Sequence, residues 1–397
     1  MEDERYEELV EEDDIRRISG RGMMALPGFI NTHTHTGMSM LRGFADDMDL
    51  MTWLEEKIWP AEGRMSDEDI LWGSRLAIVE MLKNGITTFN DMYFAVERIA
   101  EAVKNSGIRA QLGYGLIEEK DGEEGLEHTE EFIDSYHNTA GGRITCNIAP
   151  HAPYTCSGDY LKKIVDLSEK YDVRIHTHIA ETAAEVENFV DSRDLSPVKY
   201  LDDLGLFTRP VIAVHCVHLD DGDIEILADR EVSVSHNPSS NTKLASGVAP
   251  VKDMKGYEIN ISLGTDSAAS NNNLDLITEA RWASYLHKVT NDDPTLLDIS
   301  DLMAMITENG AEALGLEKVG RIEPGYCADL ILIDKTSSPE FYPEYNSLSN
   351  LFYAVNSPRV EYLFVGGREI VSKGEIQTLD EREIYEEVTR RAERMNS

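Results

Sequence analysis

The sequence predicts an α/β fold, a parallel (β/α)8 barrel of the TIM type that carries a small β-sandwich appendage. Three observations support this prediction. Eight short apolar, β-branched segments recur along the chain, amphipathic segments lie between them, and no glycine-rich dinucleotide fingerprint opens the sequence. An open doubly wound sheet is the competing arrangement, but eight strand–helix units suit closure into a barrel better.

The predicted strands run from "ALPGFINTH" to "INISLGTD" in chain order. They occupy residues 25–33, 86–91, 108–116, 144–151, 173–178, 211–215, 232–236 and 259–266. The clearest predicted helices occupy residues 67–85, 95–107 and 159–172. Several of these end on a glycine or a similar stop before the next strand begins. This regular alternation is the pattern of a parallel sheet with crossover helices.

The two ends of the chain differ from this pattern. The first twenty residues are mostly charged and carry too few apolar positions for an independent fold. After residue 320, "GRIEPGYCADLILID" and "VEYLFVGGREIVSKGEI" indicate β segments with glycine turns, and a charged helix follows from about Asp380. We therefore divide the chain into an acidic segment 1–24, a remnant of the sandwich, a barrel 25–318 and C-terminal β segments with a terminal helix 319–397.

The charge balance excludes two classes of partner. With 37 basic and 74 acidic residues, the net charge of -37 repels phosphate backbones and anionic lipid, so neither nucleic acid nor a membrane is expected. The acidic residues either simply keep the surface well solvated or are an adaptation to a salt-rich cytoplasm, where ions screen the repulsion among the carboxylates. The four scattered cysteines and the lack of an apolar span or leader predict a cytoplasmic protein.

Polar residues collect where the predicted strands end. Asp266 ends the eighth strand, and seven of the eleven histidines lie at strand ends: His33, His35, His151, His176, His178, His215 and His236. In a barrel these ends converge on one face, where active sites are built. Two histidines one residue apart on a strand also point to the same side. The sequence therefore predicts a histidine-rich site.

Imidazole and carboxylate ligands suit zinc or iron, and a hydrolytic site leaves one position open for water. We predict that His33, His35, His178 and Asp266 hold one divalent metal ion per subunit, zinc with iron as the alternative. His176 competes with His178 for this role, and the position of His178 at the very end of its strand favours His178. No lysine is available in "RITCNIAPHAP" to bridge a second ion.

Three residues are candidates for proton transfer. Asp266 takes the proton of the attacking water, and Glu181, three residues after His178, serves as the acid toward the substrate. The alternative for Glu181 is a glutamate that stabilises a helix N-terminus. His215 hydrogen-bonds the attacking oxygen and stabilises the charge that develops on it.

With these residues on the page, the chain resembles the amidohydrolase superfamily. Within it, the chain is similar to the 5-methylthioadenosine/S-adenosylhomocysteine deaminases, in the branch that includes archaeal 5′-deoxyadenosine deaminase. The resemblance covers most of the chain, and the motifs that carry it are "LPGFINTHTH", "LRGFADDMDLMTWLEEKIWPAE", "GITTFNDMYF", "APHAPYTCS", "AVHCVHL", "SHNPSSNTKLASGVAP", "GTDSAASNNNLDL" and "EPGYCADLILID".

The resemblance implies the same mononuclear metal site and the same proton-transfer roles for Glu181 and His215. It adds two substrate-binding residues: Glu62, which binds the ribose hydroxyls, and His151, which reaches the purine ring. Core packing is the expected role of Trp53, Trp59 and Trp72. For Trp59, which is close to Glu62 in sequence, stacking on the substrate is the alternative.

The implied function is metal-dependent hydrolytic deamination of adenosine-type nucleosides to the inosine-type product and ammonia. The expected substrates are 5′-deoxyadenosine, 5′-methylthioadenosine and adenosine, with S-adenosylhomocysteine left open. The alternatives are an amidohydrolase acting on guanine, a pterin or a triazine, and a barrel scaffold without catalysis. The expected partner is a small nucleoside, and homo-oligomerisation is left open.

The chain departs from the family pattern in two places. Residues 112–131, "LGYGLIEEKDGEEGLEHTEE", contain none of the arginines with which some relatives bind the carboxylate of S-adenosylhomocysteine. Because an acidic loop repels a carboxylate, we expect uncharged 5′ groups. In addition, only 32 residues precede His33, fewer than in relatives, and they are mostly acidic, so the sandwich is expected to be reduced.

Overall fold

The computed structural model describes residues 16–396. Fourteen strands are present in this part of the chain: β1 (Met23–Pro27), β2 (Phe29–Thr34), β3 (Ile86–Tyr93), β4 (Arg109–Leu116), β5 (Ile144–Cys146), β6 (Ala149–Pro150), β7 (Ile175–Ile179), β8 (Val211–His215), β9 (Ser233–His236), β10 (Ile261–Leu263), β11 (Leu330–Asp334), β12 (Val360–Val365), β13 (Arg368–Ser372) and β14 (Glu375–Ile376). Two predicted strands are each divided in the structure, residues 25–33 between β1 and β2, and residues 144–151 between β5 and β6.

Helices connect these strands. The α-helices are α1 (Leu50–Trp53), α2 (Trp59–Glu62), α3 (Asp67–Lys83), α4 (Val96–Ser106), α5 (Glu118–Tyr136), α6 (Thr139–Gly142), α7 (Gly158–Tyr171), α8 (Ala183–Arg193), α9 (Pro197–Asp203), α10 (Asp221–Asp229), α11 (Pro238–Lys243), α12 (Val251–Gly256), α13 (Leu276–Thr290), α14 (Ile299–Met305), α15 (Glu308–Ala313), α16 (Ser347–Tyr353) and α17 (Glu381–Asn396). A π-helical turn, Leu54–Ile58, joins α1 to α2, and 3-10 turns lie at Thr36–Leu41, Leu206–Thr208 and Pro339–Phe341. No helix within residues 16–396 is long and apolar enough to cross a bilayer.

Two parallel sheets form the body of the molecule. One has the order β2-β3-β4-β5, with β6 paired to β4, and the other has the order β10-β9-β8-β7. The sheets adjoin at both edges. At one edge Ile148 and Ile175 form a parallel bridge, and at the other the amide of Asp266 donates to the carbonyl of His33 at 3.0 Å.

The interior of the parallel strands is partly polar. Asn31, Asn90 and Asn147 are fully or almost fully buried. Asn31 Nδ2 donates to Thr265 Oγ1 at 2.8 Å, and Asn147 Nδ2 donates to Asn90 Oδ1 at 2.7 Å. Because buried polar groups need partners, these bonds fix neighbouring strand ends relative to one another beneath the histidines.

A separate antiparallel sheet has the order β1-β11-β12-β13-β14. In it β1 pairs with β11, from Met23 opposite Asp334 to Pro27 opposite Leu330. Strand β1 therefore crosses the predicted boundary at residues 24 and 25 and completes the sheet formed by the C-terminal segment. Only Gly28 separates β1 from β2, and a Cβ there would lie 2.1 Å from Thr87 Oγ1.

The predicted terminal helix is present as α17, which packs against α3. Asp69 on α3 is fully buried and accepts a hydrogen bond from Arg391 Nη1 at 3.0 Å and another from Arg394. The guanidinium of Arg391 also lies over the ring of Trp72, 5.9 Å from its centroid. Charge pairing and cation–π contact thus hold the C-terminal end of the chain on the body of the protein.

Candidate active site

The structure brings the four predicted metal ligands together at the carboxyl ends of the parallel strands. His33 Nε2 lies 3.3 Å from His178 Nε2, and Asp266 Oδ1 lies 3.5 Å from Nε2 of both His33 and His35. Two overlapping groups have ligand atoms within 4.8 Å of one another: His33 with His35 and Asp266, and His33 with His178 and His215.

Each of these imidazoles is oriented by a contact at its other nitrogen. His35 Nδ1 donates to the carbonyl of Met92 at 2.5 Å, and His178 Nδ1 donates to the carbonyl of His151 at 2.6 Å. His33 Nδ1 lies 3.0 Å from His176 Nε2. The Nε2 atoms of the three rings are therefore left to face one another, which is how outer-shell partners orient metal-binding histidines. His176, which was expected to compete with His178 for the metal, instead contacts Nδ1 of His33, the nitrogen that does not face the other predicted ligands.

The donor set fits a divalent metal ion. Burial lowers the pKa of His33 to about 3 and also lowers the pKa of His178, so both rings are neutral and can offer a lone pair. Burial raises the pKa of Asp266, but the hydrogen bond and charge of His33, with the charge of His35, outweigh it and lower that pKa overall. Neutral imidazoles around an ionised carboxylate suit zinc.

Asp266 is held by two further hydrogen bonds. Ser240 Oγ donates to its Oδ2 at 2.6 Å, and the amide of Ser267 donates to its Oδ1 at 2.7 Å. The backbone of Asp266 has a φ of 59°, in the left-handed region. Strained backbone of this kind persists where the surroundings over-determine it and collects at functional sites.

Glu181 and His215 lie side by side next to this group. His215 Nε2 is 3.6 Å from Glu181 Oε2. Burial, with the charge of Asp266, raises the pKa of Glu181 to about 8, so this carboxyl can carry a proton at neutral pH. Glu185 accepts hydrogen bonds from the amides of Ala180 and Glu181 and fixes the turn that presents Glu181.

His215 is oriented from the side opposite Glu181. Its Nδ1 lies 2.8 Å from Asn241 Oδ1, and both side chains are almost fully buried. With Nδ1–H donating to Asn241, Nε2 carries the lone pair that faces the cavity. His215 has a φ of 71°, which turns the chain sharply at the end of β8.

Glu62 approaches the site from the helical segment that follows β2. Its Oε1 accepts a hydrogen bond from Tyr93 Oη at 2.6 Å, and burial raises its pKa. Trp59, one turn earlier, is 38% exposed and lines the same cavity. Trp53 is buried but also lines the cavity, whereas Trp72 is buried and does not line it.

A cavity of about 750 Å³, including its open mouth, lies over these groups. His151 lies in its wall with His35, His178, Asp266, Glu181 and His215, whereas His33 does not line it. The apolar and aromatic part of the wall consists of Met38, Leu50, Trp53, Leu54, Ile58, Trp59, Met92, Tyr93, Phe94, Ile117, Tyr154 and Leu244. A mostly apolar cavity with a few convergent polar groups is the usual form of a small-molecule site.

Several residues of the site were not predicted from the sequence. Tyr93, Ser240 and Asn241 act on predicted residues from other strands or loops, and only the motif "SHNPSSN" drew attention to the last two. His287 is buried, and its Nε2 lies 3.0 Å from Nε2 of His236.

The chain belongs to the amidohydrolase family, whose model matches residues 24–370. The match spans the two parallel sheets and most of the small antiparallel sheet. Membership of this family agrees with the resemblance seen in the sequence motifs.

Two curated relatives and one solved structure are similar to nearly the whole chain. A 5-methylthioadenosine/S-adenosylhomocysteine deaminase from Halothermothrix orenii is 49% identical over 96% of this chain and 88% of its own length. A protein of the same name from Pelotomaculum thermopropionicum is 48% identical over the same shares of the two chains. A solved structure of an adenosine deaminase from Xanthomonas campestris with bound zinc is 35% identical, covers 94% of this chain and 86% of its own, and superimposes with a TM-score of 0.91.

Proposed function

We propose that this protein is an aminohydrolase that hydrolyses adenosine-type nucleosides to the inosine-type product and ammonia. The observation that carries the proposal is the convergence of His33, His35, His178 and Asp266 beside a proton-carrying Glu181, with all of these except His33 lining one cavity. The names and near full-length similarity of the relatives support the same reaction.

We propose further that the two parallel sheets are halves of one closed (β/α)8 barrel, with the small antiparallel sheet as the reduced sandwich. The contacts at both edges support closure, because each edge strand of one sheet meets an edge of the other. In such a barrel the carboxyl ends of the strands form the catalytic face, which is where the histidines lie.

The metal ligands in this proposal are His33, His35, His178 and Asp266, and the bound ion is one zinc per chain. A divalent ion at this position lowers the pKa of a water molecule toward neutrality and so makes a nucleophile available. The zinc in the structure of the adenosine deaminase from Xanthomonas campestris supports this choice of metal.

The proton-transfer steps belong to the residues of the chain. Asp266 accepts the proton of the attacking water, and Glu181 donates a proton to N1 of the purine as the oxygen attacks C6. His215 accepts, through Nε2, a hydrogen bond from the hydroxyl that forms on C6, because Asn241 holds the N–H at Nδ1. Asp266 then passes the water proton to the exocyclic nitrogen, ammonia leaves as the C6–N bond breaks, and the C6 hydroxyl gives its proton to Glu181 to form the carbonyl of the product.

Three residues position the nucleoside. Glu62 accepts hydrogen bonds from the ribose hydroxyls, and His151, which lines the cavity beside His178, contacts the purine ring. Trp59 covers the sugar or the base from the cavity wall. Partial burial of Glu62 and His151 makes each contact stronger than it would be in water.

The test is a deamination assay on the zinc-loaded protein with adenosine, 5′-deoxyadenosine and 5′-methylthioadenosine. We expect ammonia and loss of the adenine absorbance band in equal amounts. Glu181→Gln should lower kcat at least about 100-fold, because the general acid is removed. The control is Glu187→Gln, an exposed glutamate on α8. Absence of ammonia with every nucleoside, or full activity of Glu181→Gln, contradicts the proposal.

A further inference from the structure

A buried carboxyl group that the proposed reaction does not use lies on α13. Glu279 is fully buried, and burial raises its pKa to about 8. Each of its oxygens accepts a hydrogen bond: Oε2 from the amide of Ser239 at 3.1 Å, and Oε1 from Nδ2 of Asn271 at 2.7 Å. A buried carboxyl group is costly without such partners, so these two contacts tie Ser239 and Asn271 firmly to α13.

The first contact acts on three consecutive residues of α11. The amide of Ser239 is the group held by the buried carboxyl. The next residue, Ser240, donates through Oγ to Asp266 Oδ2 at 2.6 Å. The residue after that, Asn241, contacts His215 Nδ1 through its Oδ1 at 2.8 Å. The anchored backbone therefore sets the positions of both side chains that hold the proposed proton-transfer residues.

The second contact acts on the loop after β10. Besides Glu279, Nδ2 of Asn271 donates to the carbonyl of Thr265 at 2.9 Å. An amide group has two N–H bonds, so each of these acceptors can take one. Thr265 directly precedes Asp266, whose backbone has the left-handed φ of 59°. The same carboxyl group therefore also constrains the backbone from which the Asp266 side chain projects.

Helix α13 is itself anchored at further points. Near its middle, Arg281 Nε donates to the carbonyl of Phe352 on α16 at 2.7 Å. Near its C-terminal end, Nε2 of His287 lies 3.0 Å from Nε2 of His236, the last residue of β9. Because the helix is held along its length, it gives the two loops a fixed reference, as supporting residues on rigid elements do.

We propose that Glu279 is a positioning residue that holds Asp266 and His215, through the two loops, in the geometry that the chemical step needs. This inference rests on the proposed nucleoside deamination. The contacts of Glu279 lead to groups that act on the reacting atoms and not to Glu62 or His151, which are proposed to bind the nucleoside. Its loss should therefore affect kcat rather than KM.

The first test is Glu279→Gln in the zinc-loaded protein, with adenosine as the substrate. Glutamine keeps the size of the side chain, but one of its two polar atoms is a donor, so either Ser239 or Asn271 loses its acceptor. We expect kcat to fall about tenfold and KM to stay within about threefold of the wild type, because a small misplacement of reacting groups slows the chemical step.

A second readout does not depend on turnover. Cobalt(II) accepts the same kinds of ligand as zinc, and its visible absorption bands depend on the geometry of those ligands. The bands of cobalt-loaded Glu279→Gln should differ from those of the cobalt-loaded wild type. Asn271→Ala removes the donor shared by Glu279 and Thr265, and it should give the same fall in kcat and a change in the bands if Glu279→Gln does not fold.

The matched control is Asp275→Ala on the same helix. Asp275 is the N-cap of α13 and accepts a hydrogen bond from the amide of Ile277 at 2.9 Å. Its removal should lower the midpoint of thermal unfolding, because a helix cap is lost. It should leave kcat and the cobalt bands at their wild-type values.

The outcomes separate this role from the proposed function. Unchanged cobalt bands in Glu279→Gln and Asn271→Ala, or kcat within about twofold of the wild type in both, overturn the role of Glu279. An equal loss of kcat in Asp275→Ala also overturns it, since general destabilisation of α13 would then suffice. Absence of ammonia from the wild type with every nucleoside overturns the proposed deamination instead, and the cobalt bands still decide whether Glu279 positions the site.

Discussion

Glu62 is a half-buried carboxylate whose orientation depends on the phenol of Tyr93. Tyr93 Oη donates to it at 2.6 Å, and the Tyr93 side chain is itself 4% exposed. A half-buried acceptor that loses such a donor becomes free to rotate and is left partly unsatisfied. Tyr93 is thus a positioning residue for the group proposed to bind ribose.

We predict that Tyr93→Phe raises KM for adenosine about tenfold and changes kcat less, because a hydrogen bond to a charged group contributes ~1.5 kcal/mol. Steady-state kinetics with adenosine and with 2′,3′-dideoxyadenosine measure this. The rise should be smaller with the dideoxynucleoside, since it lacks the hydroxyls that Glu62 would bind. Tyr285→Phe, an exposed tyrosine on α13, is the control, and an equal rise with both nucleosides argues against the positioning role.

Individual residues differ in how well sequence reveals them. His33, His35 and Asp266 were predictable because they end apolar strands, and strand ends of a parallel fold share one face. Asn241 and Tyr93 were not, because their roles depend on contacts across strands. The turn at His215, with a φ of 71°, brings its ring to Asn241, and no periodicity in the sequence encodes that angle.

At the scale of elements, α17 is a charged surface helix that is held in place by packing against α3. Its arginines reach a carboxylate, Asp69, that is fully buried in α3, and α3 follows the segment that carries Glu62. Removing one partner of a buried charge pair leaves the other uncompensated. The sequence shows a charged helix in this region but not that it returns to pack on α3.

We predict that Arg391→Met lowers the free energy of unfolding by about 2 kcal/mol, with Arg394 and Ser66 retaining part of the contact to Asp69. Urea unfolding followed by circular dichroism measures the change. Arg382→Met is the matched control on the same helix, since Arg382 is 88% exposed and pairs with Glu386 four residues on. Equal stability of Arg391→Met and Arg382→Met would show that the contact to Asp69 does not stabilise the fold.

Element boundaries were the least predictable part of the fold. The alternation of strands and helices was visible as apolar segments separated by amphipathic ones. The division at Gly28 was not, because β1 and β2 form one apolar run in the sequence yet belong to different sheets. Which sheet a strand joins depends on a partner about three hundred residues away, and local patterns carry no information on it.

At the scale of the whole molecule, the net charge of -37 is the dominant electrostatic feature. Most ion pairs of the described chain lie at the surface, where each contributes little. We predict that the midpoint of thermal unfolding rises by several degrees between about 0.05 M and about 2 M KCl, because salt screens the repulsion among excess carboxylates. Differential scanning calorimetry at fixed pH checks this, and equal midpoints in both buffers would remove the hypothesis of adaptation to a salt-rich cytoplasm.

The pairing of β1 with β11 has a consequence for how the chain is made. Met23 lies opposite Asp334, so the second strand of the pair leaves the ribosome only after about three hundred further residues. At roughly 5–20 residues per second, that interval lasts about 15 to 60 seconds. During it the strand that leads directly into His33 has no partner from its own sheet. The small antiparallel sheet, which ends one residue before the strand of His33, can therefore be completed only when the C-terminal segment has emerged.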